Sequence, residues 1–511
     1  MAPIDMNGKT LTFSRLTEVV HEAREEGKKV VLCHGVFDLL HPGHILHFKA
    51  ARQHGDLLVV TVTPDRFARK APGRPIFPQR LRLESIAALE HVDFVALNEW
   101  PTAIETIYHL KPHVYAKGSD YANPEADLTG NISKEATAVE EVGGRIAFTD
   151  EESFSSSHLI NRFLESHPPE TEAFLREFRK RHCADEVIGC LDKVSDLRVL
   201  VVGEAIFDQY TYCIPLARPP KSTIVAAKFA SDENFAGGSL AVANHLAGFC
   251  KEVTLVTCIG SEEEPFQFIR SKLKPNVRFC PVRTPNRPTI LKRRFLEPNF
   301  LTKIFELQYL DDTSIPEAVE RELRYLLAQH LPAHDLAVVT DFGHGLMTEG
   351  LREILYDSHK FLAVNAQTNS ANLGFNLITK YKRADYVCVD EPELKLAARI
   401  PYGDTETIVK RVREEMHTSH FMVSLGPRGT LFFSKDGTMY KTPVLPTRVV
   451  DRVGAGDALF AITSPCIYRQ CPPDILGLIA NCTGAIAVEI VCNREFVEPV
   501  TLKKFITYLL K

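Results

Sequence analysis

The sequence predicts an α/β protein made of two doubly wound parallel-sheet domains. Three observations predict it: short apolar runs alternating with helical patterns over the first third, a proline break after His167, and a second alternation beginning at Leu197. A chain of 511 residues is too long for one hydrophobic core, and length alone allows about two to four units.

Taken in order, KKVVLCHGVFD reads as a strand entering a turn, ILHFKAARQHG as a helix and DLLVVTVTPD as a second strand, which makes a βαβ unit. LRLESIAALEHV has helical spacing, VDFVALNE and PHVYAKGSD are strand-to-loop segments, and SHLINRFLESH reads as a closing helix. The expected first domain is 1–165. His167-Pro168-Pro169-Glu170 breaks the pattern, and the charged stretch after it has no strand before LRVLVVGE, so 166–192 reads as a helical linker. The second domain is 193–511. LRVLVVGEA, VTLVTCIG, LAVVTDFG, FLAVNAQ, ADYVCVDE and HFMVSLG are near-continuous apolar strands suited to burial on both faces. TYCIPLARPPKSTIVAAKFASD alternates with proline breaks and suits a small antiparallel lid beside that sheet.

Composition narrows the function classes. Hydrophobic residues at 45% and charged residues at 24% exclude a disordered or fibrous chain. A net charge of −5 without a long run of one sign gives no reason to expect nucleic acid or membrane as partner. The opening MAPIDMNGKTLTFSRLTEVV lacks a leader pattern and no apolar stretch reaches bilayer length, so a cytoplasmic protein is expected. The 12 cysteines form no CxxC pair and many sit in apolar runs, which reads as reduced and structural.

The first chemical constellation is Gly35-Val36-Phe37-Asp38-Leu39-Leu40-His41-Pro42-Gly43-His44, placed where the first strand hands over to the first helix. Open α/β sheets bind ligands there. Glycine lets backbone amides approach phosphate, the helix start supplies positive potential, and His41 and His44 share a helical face from which both can donate to one triphosphate. Nucleotidyl transfer suits such a site, because the attacking phosphate is already a nucleophile and needs only alignment and charge stabilisation.

GVFDLLHPGH resembles the signature of the cytidylyltransferase-like nucleotidylyltransferases. Thr63-Pro64-Asp65, Arg74-Pro75-Ile76 with Arg82, Lys117-Gly118-Ser119-Asp120-Tyr121 and Phe154-Ser155-Ser156-Ser157 resemble its later motifs in the same order. The resemblance implies a nucleotide site of Gly35, Phe37, Arg82, Ser155, Ser156 and Ser157, with His41, His44 and Lys117 catalytic. Arg82 and Lys117 would offset phosphate charge. Ser157 also reads as a helix cap, Lys117 as a surface lysine and Asp38 as a turn-fixing residue.

The second constellation runs from Val450 through Gly454-Ala455-Gly456-Asp457 into an apolar helix. Consecutive amides there make an anion hole, and a carboxylate at the helix start can take the proton of an alcohol while those amides stabilise the transferring phosphoryl group. With Asp208 after VVGE, Gly237-Gly238 before a helix, and Ser424-Leu425-Gly426-Pro427-Arg428-Gly429, it resembles the ribokinase-like PfkB carbohydrate kinases over 197–511. The resemblance implies Asp457 as base, Gly454, Ala455 and Gly456 as anion hole, and Asp208, Gly237 and Gly238 on the substrate. Gly426, Gly429 and Asn481 would border the nucleotide, although a hairpin turn demands the same glycines. Lys292 and Arg294 are candidates for a phosphate already on the substrate, or exposed basic residues of the lid. Asp390 and Glu393 are candidates to organise Mg²⁺ through water.

The kinase half departs from that family at Ala241, at Asn365-Ala366-Gln367, at Asp390 and at His344, where Lys is usual. Both modules on one chain resemble the bifunctional heptose-phosphate kinase/nucleotidylyltransferases, with the order reversed. The resemblance implies a bifunctional enzyme of activated sugar or polyol synthesis serving cell-surface glycans, using Mg²⁺ with ATP and CTP, or ATP alone. Its partners would be a sugar or polyol phosphate and nucleoside triphosphates, and its assembly a homodimer. The alternative is an active transferase with a non-catalytic kinase-fold module.

Overall fold

In the computed structural model, which describes residues 8–68, 72, 74–121, 130–149, 167–217, 224–445 and 448–511, the apolar runs become strands of two separate sheets. The chain divides into Met1–Ser166 with Lys503–Lys511, and His167–Leu502.

The first unit holds β1 (Thr10–Leu11), β2 (Val30–Gly35), β3 (Leu57–Val62), β4 (Phe94–Leu97), β5 (Val114–Gly118) and β6 (Arg145–Thr149) in the order β1-β4-β3-β2-β5-β6. Every pairing is parallel. Successive side chains of a strand point to opposite faces, and β2 shows the result: Val31 and Cys33 join Phe48, Leu58 and Ile86, whereas Val30 and Leu32 join Leu16, Val20 and Ile107. The helices α1 (Phe13–Glu25), α2 (Pro42–Arg52), α3 (Gln79–Ala87), α4 (Ile104–Leu110) and α5 (Asn131–Glu141) alternate with these strands. After β2 the chain builds β3 and β4 on one side and then crosses to β5 on the other. The end of β2, where α2 begins, is therefore the switch point at which such sheets open a crevice.

The second unit begins with two helices, Pro169–Arg179 and Ala184–Asp192. Thr171 Oγ1 donates to Val444 O at 3.1 Å, and Leu175, Phe178, Val187 and Leu191 are buried. From His167 onward, the segment expected as a linker is thus part of this unit, because its apolar helix faces need cover that a linker lacks.

Strands β7 (Arg198–Gly203), β8 (Ala205–Pro215), β9 (Ala227–Gly238), β10 (Glu252–Ile259), β11 (Val277–Arg283), β12 (Ile290–Glu297), β13 (Thr302–Tyr309), β14 (Leu336–Asp341), β15 (Phe361–Ala366), β16 (Tyr386–Asp390), β17 (His420–Ser424), β18 (Thr430–Phe433) and β19 (Met439–Thr442) follow. Nine form the main sheet, β11-β10-β7-β14-β15-β16-β17-β18-β19, and four form the lid, β13-β12-β8-β9. The main sheet is parallel through β17 and antiparallel at β18 and β19. The lid is mixed rather than antiparallel, since β12 runs parallel to β8.

Only Glu204 separates β7 from β8, so at this connection a single residue joins main sheet to lid. Its buried carboxylate accepts from Phe342 N at 3.0 Å and His344 N at 3.1 Å. At the other root of the lid, Gly237 and Gly238 pair with Ile206 and Ala205. A Cβ on Gly237 would collide with the Asp208 carboxylate, so glycine there is what admits Asp208.

Candidate active sites

In the first unit, Pro42 opens α2 and His41 is its N-cap, with extended backbone at φ −141° and ψ 167°. Its side chain makes no capping bond, which leaves the ring for another use. His41 and His44 stack with centroids 3.9 Å apart and planes 29° from parallel, while Phe37 meets His44 edge-on at 5.4 Å. Phe37 holds a left-handed φ of 49°, and its ring would strike a Cβ on Gly35, so a side chain at 35 cannot coexist with that turn. Burial lowers His41 below the ordinary histidine range, so near neutrality the ring is uncharged and carries one N–H donor.

Lys117 at the end of β5 is buried, not solvated. Its Nζ lies 3.0 Å from Glu135 Oε2 and faces the Tyr115 and Tyr121 rings at 5.1 and 4.8 Å. Burial opposes its charge, but Tyr115 and Glu135 beside it hold the ammonium protonated. Asp38 does what a turn-fixing residue does: it accepts from Arg74 Nε at 2.5 Å, Ile76 N at 2.7 Å and Phe77 N at 3.1 Å.

Arg82 differs from its expected role. Its side chain is 0% exposed; it donates to Phe77 O at 3.0 Å and Val36 O at 2.5 Å and pairs with Asp65 at 2.6 Å. The guanidinium anchors the Val36 turn from beneath rather than meeting a phosphate, because its charge and most of its donors already have partners. Ser155, Ser156 and Ser157 and the expected closing helix lie outside the described residues.

Two residues escaped the sequence reading. His47 lies one further turn along α2 from His44, and its Nδ1 is 2.7 Å from Thr149 Oγ1, which itself donates to Lys117 O at 3.3 Å. Thr149 has one proton, so Nδ1 of His47 carries the hydrogen and Nε2 keeps the lone pair. Burial, helped by Lys117, lowers His47 to about 4. His34 on β2 bonds Thr61 and Thr63 at 2.9 and 3.2 Å, and burial lowers it to about 3. The spacing of 41, 44 and 47 was a readable signal; nothing local marked His34.

In the second unit, Asp457 stands in the first turn of helix Ala455–Tyr468 and is buried. Gln367 Nε2 donates to its Oδ1 at 2.6 Å, and Oδ2 has no hydrogen-bond partner among the described residues. Burial pushes the carboxyl up to about 7; the Gln367 bond opposes that, and the Asp208 charge adds to it. The preceding Gly454 takes φ 86°, and a Cβ there would collide with Asn493. Gly456 borders open space. The first-turn amides of this helix lack intrahelical acceptors, the usual condition for holding an anion at a helix start, although Ala455 N donates to Arg452 O at 3.4 Å.

Around Asp457 lie Asp208 and Lys292, neighbours in the β8–β12 register. Lys292 is 6% exposed, not a surface lysine, and its ammonium has no hydrogen bond or ion pair among the described residues. Burial lowers it, with Asp208 opposing. Arg294 is committed elsewhere, to Asp208 at 2.5 Å and Glu306 at 2.6 Å, so it orients the Asp208 carboxylate rather than awaiting a phosphate. His344 is buried, its Nε2 3.5 Å from Asn369 Nδ2, and burial with Lys292 nearby lowers it to about 4.

Three further sets of expected site residues have structural partners. Asp390 and Glu393 form a capping box on helix Glu391–Ala398: Asp390 Oδ1 accepts from Glu393 N at 2.7 Å and Glu393 Oε2 from Asp390 N at 3.0 Å. Glu393 Oε1 also accepts from Thr368 N at 3.0 Å. These oxygens face backbone N–H groups, and no cluster of three or more metal-ligating side chains occurs among the described residues. The box gives the pair a structural role, and its expected water-mediated role toward Mg²⁺ stays a proposal. Asn481 is buried and donates to Thr430 Oγ1 at 2.8 Å and Gly477 O at 2.9 Å, which ties its helix to β18 instead of presenting it to a base. Gly429, at φ 88° between β17 and β18, would clash with Thr442 O if it bore a side chain, and Gly426 takes φ 58°. Both meet the demand of the turn.

Comparisons with known proteins assign a family to each half of the chain. The cytidylyltransferase-like family matches residues 32–162, and the pfkB family of carbohydrate kinases matches 196–490. Bifunctional protein HldE of Methylococcus capsulatus is 37% identical over 158 residues, 30% of this chain and 32% of that protein. HldE of Pelobacter propionicus is 36% identical over 170 residues, 32% of this chain and 33% of that one. These matches lie in the N-terminal part and span about a third of the length of those relatives. Phosphofructokinase-2 from Escherichia coli in complex with substrates and products shares the fold, with a TM-score of 0.50 and 14% identity over 62% of this chain and 100% of that one. No helix among the described residues is long and apolar enough to cross a membrane.

Proposed function

We propose, from the premise that this chain belongs to the pfkB family of carbohydrate kinases and carries a cytidylyltransferase-like domain ahead of it, that it makes a nucleotide-activated sugar or polyol in two reactions. The kinase half phosphorylates a sugar, sugar phosphate or polyol with ATP. The transferase half joins a phosphorylated sugar to the nucleotidyl group of CTP or ATP and releases pyrophosphate.

The observation that carries the reading is the Asp457 carboxylate, buried at a helix start, with one oxygen fixed by Gln367 and the other open. A base with its pKa close to neutrality takes an alcohol proton most effectively. In the kinase step, Oδ2 of Asp457 removes the proton of the acceptor hydroxyl as its oxygen attacks the γ-phosphorus. The amides at Gly454 to Asp457 hold the transferring oxygens, and ADP departs. Asp208, oriented by Arg294, accepts from acceptor hydroxyls, and the ammonium of Lys292 offsets negative charge between Asp208 and Asp457. Magnesium would arrive bound to the triphosphate.

In the transferase step the acceptor phosphate attacks the α-phosphorus in line. The neutral His41 ring and the His44 ring donate N–H bonds to the triphosphate, and Lys117 lowers the local charge at the end of β5. The reading also takes the protein as a cytoplasmic homodimer, on the strength of the resembling families. Incubation with mixed nucleoside triphosphates and a library of sugars, sugar phosphates and polyols, followed by mass spectrometry, tests it. A nucleotide-sugar or nucleotide-polyol product with ADP and pyrophosphate is expected; ATP left intact against every acceptor removes the kinase reading.

A further inference from the structure

Two side chains of the lid reach one buried carboxylate beside the proposed anion hole. Residues two apart on a strand share a face, so Tyr210 lies on the face of β8 that holds Asp208, and its hydroxyl donates to Asp451 Oδ2 at 2.6 Å. Lys303 comes from β13. From Leu291 to Phe295 the residues of β12 meet β13 in regular order, ending with Phe295 opposite Phe305; then Leu296 faces Lys303, and Ile304 is left over. Regular pairing would set Lys303 opposite Glu297, on the other face of the lid. The bulge re-aims it. Opposite the buried Leu296, its Nζ lies 2.8 Å from Asp451 Oδ1 and 5.7 Å from the centre of the Tyr210 ring.

Asp451 is 6% exposed. The oxygen that meets Lys303 also accepts from Val453 N at 3.2 Å, and the oxygen that meets Tyr210 also accepts from Cys492 N at 3.0 Å. Val453 leads directly into Gly454, and Cys492 into Asn493, the residue that a Cβ on Gly454 would strike. One carboxylate therefore braces both sides of the turn that enters helix Ala455–Tyr468. A buried carboxylate is costly without a cation beside it, and Lys303 makes the only ion pair of Asp451 among the described residues. Burial opposes the charge, but the bonds from Lys303 and Tyr210 hold the carboxyl below the ordinary range.

We propose that Lys303 is a positioning residue of the kinase: through Asp451 its ammonium fixes the turn from Asp451 to Gly454, so that the lid holds the anion hole in shape. Its effect on turnover rests on the kinase reading above, whereas the coupling of Lys303 to the turn does not. Lys303 touches no reacting atom in this arrangement. Amides that hold a transferring phosphoryl group act chiefly in the transition state, so slackening them lowers kcat and kcat/KM together and leaves KM nearly unchanged. A lysine that served stability alone would not divide the two constants in this way.

Full-length Lys303→Ala and Lys303→Arg are compared with the wild type by hydrogen exchange and mass spectrometry. Faster exchange in the peptide spanning 450–457 is expected for Lys303→Ala and not for Lys303→Arg, whose guanidinium keeps the charge. Exchange in Lys303→Ala equal to the wild type, or equally fast in both variants, overturns the proposal. With an acceptor that the wild type phosphorylates, Lys303→Ala should lower kcat about 10- to 100-fold at unchanged KM, and added ethylammonium should raise the turnover of Lys303→Ala but not of the wild type. A rise in KM at constant kcat, or a loss that neither Lys303→Arg nor the amine repairs, also overturns it. If the wild type forms no ADP with any acceptor, the kinase reading falls, and the exchange measurement still decides whether Lys303 holds the turn.

Discussion

Asp457 concentrates the chemistry of the second unit in one ionisation. Its carboxyl sits near 7 because burial disfavours the charge, and the base works only when deprotonated. Kinase turnover should therefore fall about tenfold per pH unit below about pH 7, read from a pH–rate profile. Asp457→Asn should lower turnover about 10²- to 10⁴-fold, the usual share of a positioned base. The same ionisation makes a stability prediction of opposite sense. From the ordinary 3.8 up to about 7 the folded chain holds a proton that the unfolded chain has lost, so the stabilisation is complete below the first value and declines as pH rises through the second. The amide that Asp457→Asn introduces cannot titrate, so this variant should melt above the wild type at about pH 8 and lose most of that advantage at about pH 5. In the first unit, His44→Ala should suppress pyrophosphate release while leaving the far-ultraviolet circular dichroism unchanged, since the ring lies at a helix start facing the crevice.

Helix and strand ends explain what could be read from sequence and what could not. The βαβ alternation, the HxxH turn and the glycine-to-aspartate turn are local patterns, and the strands β2, β7 and β14 and the turns after β2 and before helix Ala455–Tyr468 follow them. The destination of a long side chain is not local. Arg82 reads as a phosphate ligand, yet it bonds Val36 and Asp65 across the fold; Arg294 reads as free, yet Asp208 and Glu306 claim it. Gln367 stands out in the sequence only as a departure from the kinase pattern, whereas its contact with Asp457 depends on β15 and a distant helix coming together. Arg82→Ala should accordingly act through the fold, leaving two carbonyls short of partners at about 1–3 kcal/mol each, seen as a lower urea midpoint. The capping box makes a milder prediction: Asp390→Ala should cost about 1 kcal/mol of stability, measured the same way. A much larger effect on ATP turnover than on stability would point instead to a ligand at that helix start.

At the scale of the whole chain, the two centres are built from separate sheets, each with its own core. Their chemistry should be separable without cutting the chain. Asp457→Asn should leave pyrophosphate release from a supplied sugar phosphate unchanged, and His44→Ala should leave ADP formation unchanged, both followed in single-step assays. The junction at Glu204 sets a mechanical ratio within the second unit. Strand β8 leaves Glu204 at once; at about 3.3 Å per residue, Asp208 stands about 13 Å from that pivot and Pro215 about 36 Å. In any swing about that root the far end of β8 moves nearly three times as far as the Asp208 carboxylate, which merely adjusts its aim.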